Sequence, residues 1–166
     1  MKYLKRYNES RGETLIDKKI VYLNDITDDL RDSGYEVHIF NGSNIGHISR
    51  SLDYPRYLMH DISKTDMTGK PLYSKYIYLL IIDKENINDI SNNLVDEYIN
   101  KLTPISNNEQ VSKVIKRLQS SKIGWRSMSV SISKSRWDNK IIENVAIVRI
   151  DKHSRINRQE LEDLIG

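Results

Sequence analysis

Apolar residues recur at steps of three and four in several stretches of the chain, which is the spacing of an amphipathic helix. In the first stretch the apolar stripe begins at Ile16 and ends at Leu30, with Thr14 as the expected N-cap and Gly34 as the expected C-cap. The second stretch covers 86–102, and Pro104 and the polar residues after it end it. The pattern predicts helices over 13–33, 86–102, 111–118 and 158–165.

Alternating or continuous apolar runs predict the strands. Residues 35–40 alternate, and the serine-rich run RSMSVSISKS at 126–135 alternates most regularly. YIYLLIID at 76–83 and NVAIVRID at 144–151 are typical of buried strands. NGSN at Asn41–Asn44 has the composition of a tight hairpin turn, with a weaker strand expected at 45–52. Residues 65–70 are expected to form a loop.

These elements predict an α+β fold, with a mostly antiparallel sheet of four or five strands and helices on one face. The order helix, hairpin, helix occurs twice, over 13–104 and 105–166. Ile82-Asp83-Lys84 and Ile150-Asp151-Lys152 lie at matching points, which favours a duplication. The alternative is that strand-to-helix turns in an Asp-, Lys- and Asn-rich chain look alike. We expect a single domain over 13–166, preceded by a flexible or targeting-like segment at 1–12.

Composition excludes several classes of site. The 166 residues are 38% hydrophobic and 30% charged with a net charge of +3, which is typical of a globular protein. The absence of cysteine excludes disulfides, thiolate nucleophiles and cysteine-based zinc sites. No apolar run reaches the roughly 20 residues that span a bilayer, so no membrane partner is expected. No cofactor or metal motif is present in the sequence.

The histidines offer the only general acid or base chemistry. His47-Ile48-Ser49 resembles one half of a two-histidine phosphoesterase, but a second His-x-Ser or His-x-Thr is missing. His60 lies in the same long stretch, 41–75, whose counterpart in the second half is only about ten residues. An enzyme built around 41–75, with His47 and His60 as weak catalytic candidates, is therefore one hypothesis. The alternative is that both are solvent-facing histidines.

The charge distribution points to a polyanion. Residues 110–142 hold eight lysines and arginines against one aspartate, a net charge of +7, so the remainder of the chain carries −4. Cations neutralise phosphates, and indoles can stack on bases. The alternative is a solvated helix face with two core tryptophans. The candidate residues for binding DNA or RNA are Lys113, Lys116, Arg117, Lys122, Trp125, Arg126, Lys134, Arg136, Trp137 and Lys140.

The first ten residues, MKYLKRYNES, place apolar and aromatic side chains at helical spacing among basic residues. The stretch resembles the capsid-targeting peptides that begin internal head proteins of T-even-like tailed phages. Those peptides open Met-Lys and end in a glutamate, after which the family's prohead protease cuts. The resemblance covers roughly 10 residues and implies cleavage between Glu9 and Ser10. Tyr7 stands where the family has Ile or Leu, which is a departure from the cleavage pattern.

Three functions follow as hypotheses. The first, implied by the resemblance, is a small phage-encoded, non-enzymatic protein that binds the capsid or scaffold through residues 1–10. Such a protein would be found in the virion interior or, after ejection with the DNA, in the host cytoplasm. The second is a nucleic-acid-binding module that uses the basic residues of 110–142. The third is the enzyme around 41–75. No pattern in the sequence indicates an oligomeric state.

Overall fold

The computed structural model describes residues 14–45, 57–135, 138–153 and 158–165. This part of the chain forms four strands, five α-helices and four single-turn 3-10 helices. The strands are β1 (Glu36–Asn41), β2 (Tyr76–Asn86), β3 (Trp125–Lys134) and β4 (Ile141–Asp151). The α-helices are α1 (Leu15–Asp32), α2 (Met59–Ile62), α3 (Val95–Lys101), α4 (Glu109–Ser120) and α5 (Arg158–Ile165).

The four strands form one antiparallel sheet in the order β1-β2-β4-β3, which confirms the predicted α+β class. Each antiparallel strand pair is flanked by α-helices: α1 and α3 flank β1-β2, and α4 and α5 flank β3-β4. The repeated tripeptides are not equivalent positions, however. Ile82 packs on one face of the sheet and Ile150 on the other. Two residues that pair across β2 and β4 lie on the same face, and one of them has an odd number and the other an even number. A repeat that kept each residue on its face would therefore need an odd sequence offset. The offset between Ile82 and Ile150 is 68.

Helix α1 begins and ends where its capping residues predict. The Thr14 hydroxyl accepts a hydrogen bond from the Asp17 N–H at 3.1 Å, and the Asp17 carboxylate accepts one from the Thr14 N–H at 3.2 Å. After the helix, the Tyr35 N–H donates to the Leu30 carbonyl, and Gly34 has φ +96°. A residue with a Cβ rarely adopts that φ, which explains the glycine at this position.

One face of the sheet carries the larger core, and α1, α4 and α5 cover it. We call this the first face; its centre is Leu79 and Val148, which pair across β2 and β4 and are fully buried. Tyr22 and Leu23 of α1 and Leu161 of α5 pack here. The buried stripe of α1 is rotated from the expected one, because Lys18, Lys19 and Thr27 are buried while Ile16, Ile20 and Ile26 are only partly covered.

The opposite, second face carries a smaller core that includes Tyr78, Leu80 and Ile147. Leu58 and the short helix α2 pack against it, so helices lie on both faces and not on one alone. Residues 59–75, within the insertion recognised in the sequence, thus belong to the fold. The Thr65–Lys70 stretch is a loop as expected, closed by hydrogen bonds from the Thr68 and Lys70 N–H groups to the Asp66 carboxylate.

The tight hairpin predicted at Asn41–Asn44 is wrong. The Asn41 side chain accepts a hydrogen bond from the Ser43 N–H, and this cap starts the 3-10 helix Gly42–Asn44. β1 therefore pairs with β2, across a connection of residues 42–75. The weaker strand expected at 45–52 lies almost wholly outside the described residues.

The helix predicted over 86–102 starts later than expected. β2 runs to Asn86, whose side chain accepts a hydrogen bond from the Asn88 N–H and so begins a turn. A 3-10 turn at Asn92–Leu94 precedes α3. Asn, Asp and Ser side chains compete for backbone hydrogen bonds and favour turns over helix, which explains the shorter α3. The two remaining predicted helices are confirmed as α4 and α5.

Candidate nucleic-acid interface

Helix α4 is divided into an apolar and a basic side. Its four apolar residues are buried in the first-face core, while Lys113, Lys116 and Arg117 are exposed. The Asn108 side chain caps the helix by accepting hydrogen bonds from the Gln110 and Val111 N–H groups. Burial of one side therefore fixes the direction in which the three cations point. The buried apolar residues of α4 are Val111, Val114, Ile115 and Leu118.

Two more cations extend this region. Lys122 is exposed in the connection from α4 to β3, and Arg126 is exposed at the start of β3, where the register with β4 shifts between Trp125 and Ser127. Glu109, at the start of α4, is the one acidic residue in the stretch from α4 to Arg126. We call the five cations Lys113, Lys116, Arg117, Lys122 and Arg126 the basic surface.

Ion pairs occupy part of the basic surface. The Lys113 ammonium lies 3.4 Å from the Glu109 carboxylate, and the Lys122 ammonium lies 3.9 Å from that of Glu160. Both lysines are about three-quarters exposed, and pairs of this kind contribute little and exchange readily with solvent ions. The Arg117 guanidinium lies over the Tyr22 ring at 5.8 Å. Among the described residues no carboxylate pairs with Lys116 or Arg126.

Other sequence-predicted residues lie elsewhere. The Lys134 ammonium pairs with Asp96 at 3.0 Å at the far end of β3, about 26 Å from Arg126 by the rise of a strand. The Lys140 ammonium donates to the Ile90 carbonyl at 2.8 Å. Trp125 is partly buried against the first-face core, so its indole packs within the protein. Arg136 and Trp137 lie outside the described residues.

The serine side of β3 does not join the basic surface. Ser129 pairs with Ile147 on the second face, and its hydroxyl accepts a hydrogen bond from the Arg149 guanidinium at 2.8 Å. By strand alternation the other serines of β3 lie on that same face. Helix α4 covers the first face, so the sheet separates the serine hydroxyls from the α4 cations.

An acidic helix borders the basic surface. A groove of about 260 Å³ between α1 and α4 is lined by Asp29 as well as by Lys113 and Arg117. The exposed acids of α1 give the α1 side of this groove a negative charge. The acids of α1 therefore oppose phosphate contact at Lys113 and Arg117, which line the groove, more than at Lys116, which does not line it. The exposed acids of α1 are Asp17, Asp25, Asp28, Asp29 and Asp32.

Of the two candidate histidines, His60 lies within the described residues. His60 is exposed, whereas its neighbour Asp61 is buried and bonded to the sheet. The Arg149 Nε and Nη2 atoms lie 2.7 and 3.1 Å from the Asp61 carboxylate, and the Tyr78 hydroxyl donates to it at 2.5 Å. Burial alone would raise the pKa of Asp61, but the hydrogen bonds from Arg149 and Tyr78 outweigh it and lower the pKa. His47 and the Glu9–Ser10 bond lie outside the described residues.

Three buried lysines, Lys18, Lys19 and Lys152, escaped sequence reasoning because lysine is rarely interior. The Lys19 ammonium donates to the Asp151 and Lys152 carbonyls at 2.9 and 3.3 Å, and burial lowers its pKa to about 8 against the opposing charge of Asp151. The Lys152 ammonium donates to the Ser43 hydroxyl at 2.6 Å, and burial lowers its pKa too. The sequence signal for the buried lysines of α1 was that Lys18 and Lys19 interrupt its apolar stripe.

A polar cleft of about 420 Å³ lies at the same end of the sheet. Lys75 and Asp66, which line it, are paired at 3.0 Å, so their charges cancel. The rest of its wall has one further cation and one further acid among polar residues: Lys70, Asp151, Thr68, Ser74 and His153. Nothing in this balance of charges selects a ligand class.

Within the described residues no group of three or more histidines, aspartates or glutamates could hold a metal ion. None of the described helices has the length and apolar character needed to cross a membrane. Comparison with known proteins found no matching family model, no matching curated protein and no matching solved structure. The assignment of function therefore depends on the geometry alone.

Proposed function

We propose that the protein is a non-enzymatic binding protein that contacts the phosphate backbone of DNA or RNA through the basic surface. One observation carries the proposal: α4 buries its apolar side and presents Lys113, Lys116 and Arg117 on the other, with Lys122 and Arg126 continuing the positive charge. Lysine and arginine on an anchored helix neutralise phosphates without reading bases.

The arrangement favours binding that does not depend on the nucleotide sequence. Helix α4 has 12 residues and is therefore about 18 Å long, which matches several successive phosphates of one strand. Trp125 is partly buried against the first-face core, so the proposal does not rely on base stacking by this indole. We therefore expect similar affinities for different sequences and a marked loss of affinity with added salt.

Fluorescence anisotropy with labelled 20-nucleotide single-stranded and double-stranded DNA at low salt tests the proposal. The double variant Lys116→Glu/Arg126→Glu reverses two exposed charges of the basic surface, and we expect it to bind at least about tenfold more weakly. Lys64→Glu/Lys70→Glu is the matched control, because both lysines are exposed in the connection that packs on the second face. Equal losses in both variants would contradict a defined interface, as would no binding by the unaltered protein.

A second candidate function rests on the amino-terminal resemblance: a passenger of a phage head, addressed by residues 1–10 and trimmed after Glu9. The Thr14–Asp17 capping box supports it, because the hydrogen bonds that cap the start of α1 come from Thr14 and Asp17 and involve no residue before the cleavage point. A chain that starts at Ser10 keeps both residues of the cap. In this role the protein would reside in the virion interior beside packaged DNA and reach the host cytoplasm on ejection.

Intact-mass measurement of the natural protein, recovered from infected cells and from purified particles, tests this candidate. A chain that begins at Ser10 inside particles is the expected result. A full-length chain found only in the cytosol would remove the passenger hypothesis and leave the nucleic-acid proposal untouched.

A further inference from the structure

The two edges of the sheet are built differently. β1 has six residues, and charged side chains crowd it, because the Glu36 carboxylate is bonded to His38 at 2.9 Å and to Lys84 at 3.1 Å. β3 has ten residues, no proline, and no charged side chain between Arg126 and Lys134. Short, charged edges prevent pairing with other chains, whereas long uncharged edges invite it. Only the β1 edge carries this protection.

The backbone of β3 presents hydrogen-bonding groups outward. The Ser135 N–H donates to the Ile141 carbonyl at 2.7 Å, which continues the β3–β4 register. Because the direction of backbone groups alternates along a strand, the odd-numbered serines bond to β4. The even-numbered residues Met128, Val130 and Ile132 therefore direct their N–H and carbonyl groups away from the sheet.

The middle of this edge is accessible. Ser129, Val130 and Ser131 are all exposed, and Val130 is 42% exposed although it lies in the middle of a strand. Within the described residues no strand pairs with the outer side of β3. An added strand would meet an apolar row on the first-face side and a row of serine hydroxyls on the other.

We infer that the outer edge of β3 binds an extended segment of a partner protein as a fifth strand, by β-augmentation. Backbone hydrogen bonds to Met128, Val130 and Ile132 would supply the affinity and the side-chain rows the specificity. Arg126 and Lys134 stand at the two ends of the edge. The segment that fits has small or β-branched residues in its middle and a carboxylate at each end. The carboxylate opposite Lys134 would exchange with that of Asp96, whose pair with Lys134 at 3.0 Å is solvent-exposed.

A second copy of the chain fits less well. Antiparallel pairing of two β3 strands about Val130 would match Met128 with Ile132 of the other copy, which suits the apolar row. The same register places Arg126 opposite Lys134 at both ends, and like charges directly opposite are destabilising. The acidic-ended partner removes that conflict.

A synthetic nine-residue peptide, acetyl-Glu-Thr-Val-Thr-Val-Thr-Val-Thr-Glu-amide with a fluorescent label, tests the inference by anisotropy. The protein variant Val130→Pro removes one outward N–H but leaves the β3–β4 ladder intact, since proline is tolerated on an edge with its nitrogen outward. Val130→Thr is the matched control and keeps the N–H. We expect Val130→Pro to weaken binding at least about tenfold and Val130→Thr to change it by less than about threefold.

A peptide of the same charge, N-methylated on its valines, separates strand pairing from attraction to the basic surface. Loss of binding with N-methylation supports augmentation, whereas equal binding overturns it. No binding of the unmethylated peptide at millimolar concentration also overturns it. Sedimentation that shows a dimer, with Val130→Pro monomeric, would replace the partner by a second copy. The Lys116→Glu variant and DNA report on the proposed function without altering the β3 edge, because Lys116 lies on α4, so the two ideas fail separately.

Discussion

Asp61 and Arg149 form a buried ion pair that attaches the connection between β1 and β2 to the central strand β4. The Arg149 Nε atom lies 2.7 Å from the Asp61 Oδ2 atom, and the two residues are 8% and 1% exposed. The pair joins positions 88 apart in sequence. Residues 57–75 are thus held on the second face by a charge interaction as well as by apolar packing.

Removal of one partner of this pair leaves the other charge buried and unpaired. We expect Arg149→Met to lower the free energy of unfolding by about 3–5 kcal/mol, and Asp61→Leu to have a similar effect. The double variant Asp61→Leu/Arg149→Met should lose much less than the sum of the two, because no charge is left buried. Urea unfolding of the four proteins measures the coupling; additive losses would contradict a direct pair.

Gly42 permits the chain to pass close to the connection before β2. A Cβ at this position would lie 1.9 Å from the Tyr73 carbonyl oxygen and 2.7 Å from that of Tyr76. Backbone atoms cannot move aside as a side chain can, so we expect Gly42→Ala to cost about 1–3 kcal/mol or prevent folding.

Gly34→Ala serves as the comparison, since a Cβ there meets nothing within 4 Å and only the φ of +96° opposes it. We expect a cost of about 1 kcal/mol at Gly34. Thermal or urea unfolding of both variants measures the difference. A larger loss at Gly34 than at Gly42 would contradict the steric argument.

The apolar pattern was sufficient for most of the framework because capping residues and burial act locally. Thr14, Gly34 and the α4 stripe are placed as predicted, and the alternation of β3 is correct in its bounds to within a residue. The partner of β1 was not predictable in the same way. Asn41 and Gly42 suit both a tight hairpin and a capped 3-10 turn, and only the fit of Gly42 against Tyr73 decides between them.

The basic residues were recognisable as a cluster in sequence but not as a surface. Arg126 and Lys134 are separated by the length of β3, and the serines of that strand lie across the sheet from α4. Which side of the sheet a helix covers depends on contacts between distant elements. The attachment of Asp61 to Arg149 likewise joins two residues that nothing in the local sequence relates.

Lys19 should make stability depend on pH in the alkaline range. Burial lowers the pKa of Lys19 from 10.5 to about 8 in the folded protein. Between these values the unfolded chain binds a proton that the folded chain has released, so the Lys19 contribution to stability rises with pH. We expect the stability difference between the unaltered protein and Lys19→Met to increase from pH 8 to pH 10 in favour of the unaltered protein. Lys101→Met, at an exposed lysine of α3, should show no such trend.

Salt dependence tests the basic surface more directly than affinity does. If all five cations contact phosphates, the logarithm of the association constant should fall against the logarithm of salt concentration with a slope of about −4.5 for double-stranded DNA. Lys116→Ala/Arg126→Ala removes two contacts and should reduce that slope by about 1.8. Lys64→Ala/Lys70→Ala should leave it unchanged, because those side chains belong to the connection on the second face. A slope that both pairs reduce equally would indicate diffuse attraction to net charge; a slope that only the first pair reduces assigns the phosphate contacts to α4 and the start of β3.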